Sequence, residues 1–458
     1  MKHRKLQFIF GMTALLCIMV AAGSEAVHAQ ESLTLEQAMQ KALVHNPALR
    51  SAEQSVEQAG HSLSAARARM YPSVSLAGSY QRTFDRPEFV IPLPAAFFGP
   101  NAEIRTETGA EHTFAGGMVL EQPLYAGGAI STGIGMAADG LKIARHALSA
   151  VRQQTIEGVY SAFYGVLLAQ NLTEVAATAV ENARVNLDQV ERRYKEGAAS
   201  RFERLRAEVQ FAAVKPNLTE ARNRLATAVE HLKDLLGMDK GKAIQVIGAF
   251  EPRSHTLLHT DVVSLIAKAY LERPEYQMQQ LQKDIGLKKI RLTRAEFLPT
   301  VALSSALQWQ ALRDDFSVGS GDFNRTSYAG VAIRLPLFSG FGSKARYGEA
   351  QAELRKTQIQ EANLKNVIAT EIRALHNELM QAHEIIQSQR EVTEQAKEGL
   401  RLANLLYEEG AATLLEVIDA QLAVTQAGTS YSRAIYNFNT ASIKLERAVG
   451  TLNIESMR

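Results

Sequence analysis

Cysteine is almost absent from the chain. Cys17 is the only one in 458 residues, and it lies in the apolar run from Leu6 to Gly23, after Lys2, Arg4 and Lys5 and ahead of Val27-His28-Ala29. A basic start, an apolar stretch and small residues at the last and third-last positions read as a secretory signal peptide over 1–29 rather than as an anchor. Lipid attachment at Cys17 is disfavoured, because Leu16 stands where a small residue is wanted. Cleavage after Ala29 would leave a chain with no disulfide, no thiolate nucleophile and no cysteine metal ligand. An excess of one charge is lacking too: the remaining 429 residues carry 47 basic and 47 acidic side chains. Nothing there forms a footprint for nucleic acid, and no nucleic acid partner is expected. With 46% hydrophobic and 21% charged residues, the composition excludes disorder, collagen and a polytopic helical membrane protein.

Proline is missing from two long stretches, Ala129 to Glu196 and Phe341 to Glu409. Each can form one rod of roughly 100 Å at about 1.5 Å per residue. In the second stretch Ile368, Ile372, Leu375, Leu379, Ala382, Ile386, Gln389, Thr393, Ala396, Leu400, Ala403 and Tyr407 alternate steps of four and three. That is a heptad seam, and it predicts coiled-coil pairing, with an ordinary bundle core as the alternative.

The two stretches belong to an internal duplication. Asn46-Pro47-Ala48-Leu49 matches Arg273-Pro274-Glu275-Tyr276, and Tyr71-Pro72-Ser73-Val74 matches Leu298-Pro299-Thr300-Val301, both at an offset of 227. Pro123-Leu124-Tyr125-Ala126-Gly127 matches Pro336-Leu337-Phe338-Ser339-Gly340 at 213, as do the two Tyr-x-x-Gly turns at Gly197 and Gly410. The halves are 30–250 and 251–458, and the first carries a loop 14 residues longer between Pro72 and Pro123.

Four strands are predicted, over 71–84, 112–125, 299–311 and 326–338. On the first, Val74, Leu76, Gly78 and Tyr80 alternate with Ser73, Ser75, Ala77, Ser79 and Gln81. On the third, Val301, Leu303, Leu307 and Trp309 share a face opposite Thr300, Ala302, Ser304, Gln308 and Gln310. Such strands are apolar on one side and small or polar on the other. Four cannot close a transmembrane barrel, which needs about eight. Either they form an ordinary sheet packed on helices or several chains contribute to one barrel; the signal peptide and the wet second face favour several chains.

In this order the motifs resemble the TolC family of outer-membrane efflux channels over essentially the whole mature chain. The strongest match runs from Tyr407-Glu408-Glu409-Gly410-Ala411-Ala412-Thr413 through Asp419-Ala420-Gln421, which looks like the family's periplasmic-tip signature. The resemblance implies a mainly α fold with a membrane β-barrel portion: a homotrimer with twelve strands in outer-membrane lipid and helices continuing as a hollow periplasmic tunnel. It implies a passive exit duct of a tripartite efflux or type I secretion system, meeting a periplasmic adaptor and served by an inner-membrane pump. The alternative is a periplasmic coiled-coil structural or adaptor protein.

At the tips, 194–203 and 407–419, Ser200-x-x-Glu203 and Thr413-x-x-Glu416 have the form of capping boxes after C-terminal glycines. The resemblance assigns Glu416 and Asp419 to a pore constriction, Glu203 and Tyr407 to a gate latch, and Gly197, Ala198, Gly410 and Ala411 to adaptor contact. Ala412 and Phe202 depart from the best-known family pattern, which has arginine and threonine there, so that part of the family's gate is missing. Pro216 and Gly428 place a helix breaker about a dozen residues into each inner helix. No catalytic constellation stands at useful spacing. His376 and His383 have no third ligand nearby, and neither enzyme activity nor a metal or cofactor is expected.

Overall fold

The computed structural model describes residues 31–253 and 256–454. The signal-peptide reading, with Cys17, falls outside them.

The helices come in pairs of equal length. With α1 at Leu35–His45, α2 at Pro47–Ala68, α4 at Ala129–Lys195 and α5 at Arg201–Leu236, their counterparts are α6 at Val262–Glu272, α7 at Pro274–Ala295, α8 at Gly342–Glu408 and α9 at Leu414–Val449. The paired lengths are 11, 22, 67 and 36 residues. A four-residue helix, α3, covers Ala95–Phe98.

The chain divides into two compact units. One contains His146–Gln277, the described residues up to Gln54 and those from Ala362 onward; the other contains Ser55–Arg145 and Met278–Glu361. In the first unit the seam of α8 lies inward: Ile368, Ile372 and Leu379 are fully buried, and Ala382, Ile386, Thr393 and Tyr407 nearly so. Burying each large aliphatic contributes about 1.5–3 kcal/mol. On α4 a separate stripe is buried. Ile156, Tyr160, Phe163 and Leu167 pack against Leu33, Ile244 and Val246, which belong to the parallel pair β1 (Glu31–Leu33) and β6 (Ile244–Val246). The segment after β6 is pinned by Asn439, wholly buried, whose amide donates to the Glu251 carbonyl (2.9 Å) and accepts from the Arg253 N–H (3.0 Å).

Each half has the same joint, made with different chemistry. Asn46, between α1 and α2, donates to the Leu235 carbonyl at the end of α5 (2.8 Å) and accepts from the Ala48 and Leu49 N–H groups. Arg273, between α6 and α7, reaches the Ala448 carbonyl at the end of α9 (3.5 Å) and pairs with Glu371 (2.6 Å). Pro47 and Pro274 then open α2 and α7, where a missing N–H costs nothing. Gly237 and Gly450 end α5 and α9 at φ 62° and 87°.

In the second unit, β2 (Ser73–Arg82), β5 (His112–Ala126), β7 (Thr300–Arg313) and β8 (Asn324–Arg334) form an antiparallel sheet in the order β2-β5-β7-β8. The register sets Leu76 beside Met118, Met118 beside Leu307, and Leu303 beside Val331, so all four strands place apolar residues on one face, with Ser305 and Ser327 among them. Ser75, Val119, Ala306 and Tyr328 line the other face. Edge strands β2 and β8 are exposed along their entire lengths.

One expectation needs correction. The last strand ends at Arg334, not at 338, because Arg334 already pairs with Thr300, the first residue of β7, and Pro336 has no N–H to extend the ladder. On β5 the pairing does pass Pro123, through a register shift between Pro123 and Tyr125. The longer loop of the first half holds structure that the sequence reading did not foresee: β3 (Glu88–Pro92) and β4 (Glu103–Glu107) form a separate hairpin. Its exposed apolar residues include Phe97, Phe98 and Ile91.

Helix-ending glycines differ in what surrounds them. A Cβ on Gly450 would stand 2.7 Å from the Arg273 backbone nitrogen, and one on Gly237 2.5 Å from the His45 carbonyl oxygen, whereas one on Gly410 would meet nothing within 4 Å. Gly410→Ala should therefore cost only the left-handed backbone penalty of about 1–2 kcal/mol. Gly237→Ala and Gly450→Ala should cost about 1–3 kcal/mol more from overpacking. Thermal unfolding of the three variants followed by helical circular dichroism should rank Gly410→Ala as the mildest.

Candidate functional site at the helix tips

The tips are built by paired stop and start signals. At the end of α4 the Ala198 N–H donates to the Arg193 carbonyl (2.8 Å) and the Gly197 N–H to that of Tyr194 (3.1 Å), with Gly197 at φ 74°. At the end of α8 the Ala411 and Gly410 N–H groups bond the Leu406 and Tyr407 carbonyls at the same distances, with Gly410 at φ 77°. Both ends satisfy carbonyls that a helix otherwise leaves open. Three residues later the next helix starts. The Ser200 hydroxyl accepts from the Glu203 N–H (3.1 Å), and the Ser200 N–H donates to the Glu203 carboxylate (2.6 Å). Thr413 and Glu416 repeat the exchange at 3.4 and 2.6 Å. Beneath these turns Val190, Ala207, Tyr407, Leu414 and Val417 form a small core.

The residues singled out in the sequence stand in different surroundings here. Glu416 is exposed and engaged in its capping box. Asp419, one turn on, is exposed and has no hydrogen bond or ion pair among the described residues. Gly197, Ala198, Gly410 and Ala411 are all exposed at the turns. Glu203 and Tyr407, the pair assigned by resemblance to a latch, are engaged separately. Tyr407 is buried and its hydroxyl has no hydrogen-bond partner within bonding distance among the described residues, while the Glu203 carboxylate is held by the N-terminus of its own helix. No Glu203–Tyr407 hydrogen bond is made in this chain.

What grips Tyr407 instead is Arg193, which sequence reasoning missed. Its guanidinium carbon lies 4.7 Å from the Tyr407 ring centroid, and the group donates to the Tyr407 carbonyl (2.8 Å). A cation over an aromatic face, with a carbonyl at its edge, uses both sides of the planar group. Burial pushes the Tyr407 hydroxyl above its ordinary pKa; the positive charge of Arg193 opposes the shift and the negative charge of Glu203 adds to it. Arg204 similarly covers Tyr194 at 5.1 Å and pairs with Glu208.

The tips share geometry but not charge. Residues 189–206 hold six basic and three acidic side chains, and the equivalent 402–419 hold four acidic and none basic. Arg206 stands where the second half has Asp419, and it lies against the Phe202 ring (6.0 Å). The divergence in charge at Arg206 and Asp419 is legible in the sequence itself.

Among the described residues no helix is long and apolar enough to cross a membrane. The sequence matches the profile of the outer membrane efflux protein family over 38–238 and 265–451. It is 23% identical to the outer membrane protein TolC of Vibrio cholerae over 307 residues, 67% of this chain and 69% of that protein. It is 25% identical to protein CyaE of Bordetella pertussis, covering 72% of this chain and 65% of that one. The cobalt-zinc-cadmium resistance protein CzcC of Cupriavidus metallidurans is 24% identical over 77% of this chain and 81% of its own. Among solved structures, the outer membrane protein VceC of Vibrio cholerae superposes with a TM-score of 0.73 at 18% identity, covering 91% of this chain and 96% of that one. The outer membrane channel MtrE of Neisseria gonorrhoeae, in its open state, gives 0.70 at 17% identity over 92% and 91%. The chain belongs to the outer membrane efflux protein family, channel proteins of the cell outer membrane rather than enzymes.

Proposed function

We propose that this chain is one protomer of a homotrimeric exit duct, a β-barrel in the outer membrane continued by a helical tunnel in the periplasm. In this reading a periplasmic adaptor links it to an inner-membrane pump, in a tripartite efflux or type I secretion system. One observation carries the proposal: a four-stranded sheet with apolar residues from every strand on one face and two unpaired edges, β2 and β8. Unpaired strand edges are costly in hydrocarbon, and only closure removes them. Three copies supply twelve strands, above the minimum of about eight, with β8 of one copy beside β2 of the next. A periplasmic coiled-coil spacer would use the helices but would leave the apolar sheet face without purpose.

Two tips per copy around a threefold axis would set the acidic tip of one copy beside the basic tip of its neighbour. The mouth then alternates in sign, and the exposed Asp419 carboxylates, three per trimer, belong to the acidic tips. If Asp419 faces the axis, the ring attracts cations and resists full ionisation unless a cation is bound.

Chemical crosslinking in membranes should give a ladder that ends at trimer; a ladder ending at dimer, or a folded monomer extracted in detergent, would contradict the duct. In planar bilayers the resting pore should favour cations, and Asp419→Ala should weaken that preference without a change in thermal midpoint. Glu416→Ala should instead remove about 1 kcal/mol of local helix stability through the lost cap. Unchanged cation selectivity in the double variant would move the constriction elsewhere. Because Ala198 and Ala411 are exposed, Ala198→Trp and Ala411→Trp should leave trimer yield intact and abolish efflux. Normal export by both would remove the turns from adaptor contact.

A further inference from the structure

We propose that α4, α5 and α9 build a subsite for amphipathic organic anions in the wall of the duct, an inference that rests on the channel reading above. The site is a groove of about 520 Å³, within the range of small-molecule pockets, about 300–1,000 Å³.

Its position follows from the two faces of α4. Phe163 is packed against the β1–β6 layer, and Gln170 donates to the Val246 carbonyl (3.3 Å) on that side. Leu172, nine residues beyond Phe163, points the opposite way at about 100° per residue. Leu168 and Val175 flank it, and all three line the groove. In a tunnel wall one helix thick, the face opposite the covering layer is the luminal one. The groove therefore opens where cargo passes.

Its chemistry is divided. The floor is apolar, and Leu422 of α9, 51% exposed, extends it at the side. Polar groups come from Gln210 and Asn217 on α5 and from Thr425 and Thr429 on α9. Three charged residues line the groove. Glu220 and Arg224 form an ion pair along α5 and cancel each other. Arg433 has no hydrogen bond or ion pair among the described residues, which leaves the groove one positive charge. An apolar body on the α4 floor with a sulfonate or carboxylate at Arg433 satisfies both parts, since guanidinium binds such oxygens in a fork. A cation of the same shape would bring like charge to Arg433. A subsite in a conduit must also release its ligand, so binding there is weak and reversible.

The full chain, reconstituted in lipid nanodiscs and read against empty nanodiscs, tests this with the fluorescent anion 8-anilinonaphthalene-1-sulfonate. Native protein should bind it saturably and bind the cationic naphthalene dye dansylcadaverine at least fivefold more weakly. Arg433→Gln and Leu422→Glu change exposed residues and should each weaken the anion at least fivefold, while Arg433→Glu should reverse the preference between the dyes. Equal affinity for both dyes in the native protein, or an anion affinity unmoved by Arg433→Gln and Leu422→Glu, would overturn the subsite. Crosslinking of the same samples separates the two ideas. Trimers whose dye binding ignores these substitutions remove the subsite and leave the duct. Failure to form trimers removes the duct, and the subsite as part of its wall goes with it.

Discussion

The fold depends on two carbonyls. The last turns of α5 and α9 would end with unsatisfied acceptors at Leu235 and Ala448 if Asn46 and Arg273 did not reach them. Around each contact a glycine in the left-handed region lets the helix end press against the opposing backbone, at His45 in one half and at Glu272 and Arg273 in the other. The solutions are not chemically equal. Asn46 is neutral and joins the two segments through its own amide. Arg273 brings a charge to a nearly buried position and needs Glu371 and Glu275 to hold it there. Breaking one partner of such a pair strands the other charge, which costs more than the pair itself contributes.

Much of this architecture was legible in the sequence, for physical reasons. Every residue of the α8 seam is buried or half-buried, because a heptad spacing admits one stripe only. Helix ends were legible where Gly197, Gly410, Ser200 and Thr413 leave little choice of backbone. The β3–β4 hairpin was not, since its strands are five residues long and Pro87, Pro92 and Pro94 mask a pattern that short. Contacts such as Asn46 to Leu235 join residues 189 apart, and no local periodicity reports them. Of the tip, caps and turns were readable, but the grip of Arg193 on Tyr407 was hidden because it links the end of α4 to the end of α8.

The tips show how geometry and charge separate after a duplication. Both keep the same stop hydrogen bonds and the same capping box, because these are conditions for the turn to exist. Exposed positions around them carry no such obligation. Arg206 and Asp419 occupy the same turn of their helices with opposite sign, and the first half sets Arg204 over its own tip tyrosine, Tyr194, while residues 402–419 of the second hold no arginine. Arg193 then serves the tyrosine of the other half. The two tips are joined by a contact that neither could make alone.

The open edges of the sheet also bear on inheritance. In the proposed trimer, a chain whose β2 and β8 remain unpaired would contribute nothing as an individual; it would count only inside a ring whose every seam is sound. If that ring has the proposed three members, then where normal chains mix equally with chains carrying a spoiled edge roughly one ring in eight would be assembled wholly from normal copies. A lesion confined to one edge strand would therefore act dominantly. A lesion that prevents the chain from folding at all would be recessive, because the damaged copies never reach the ring.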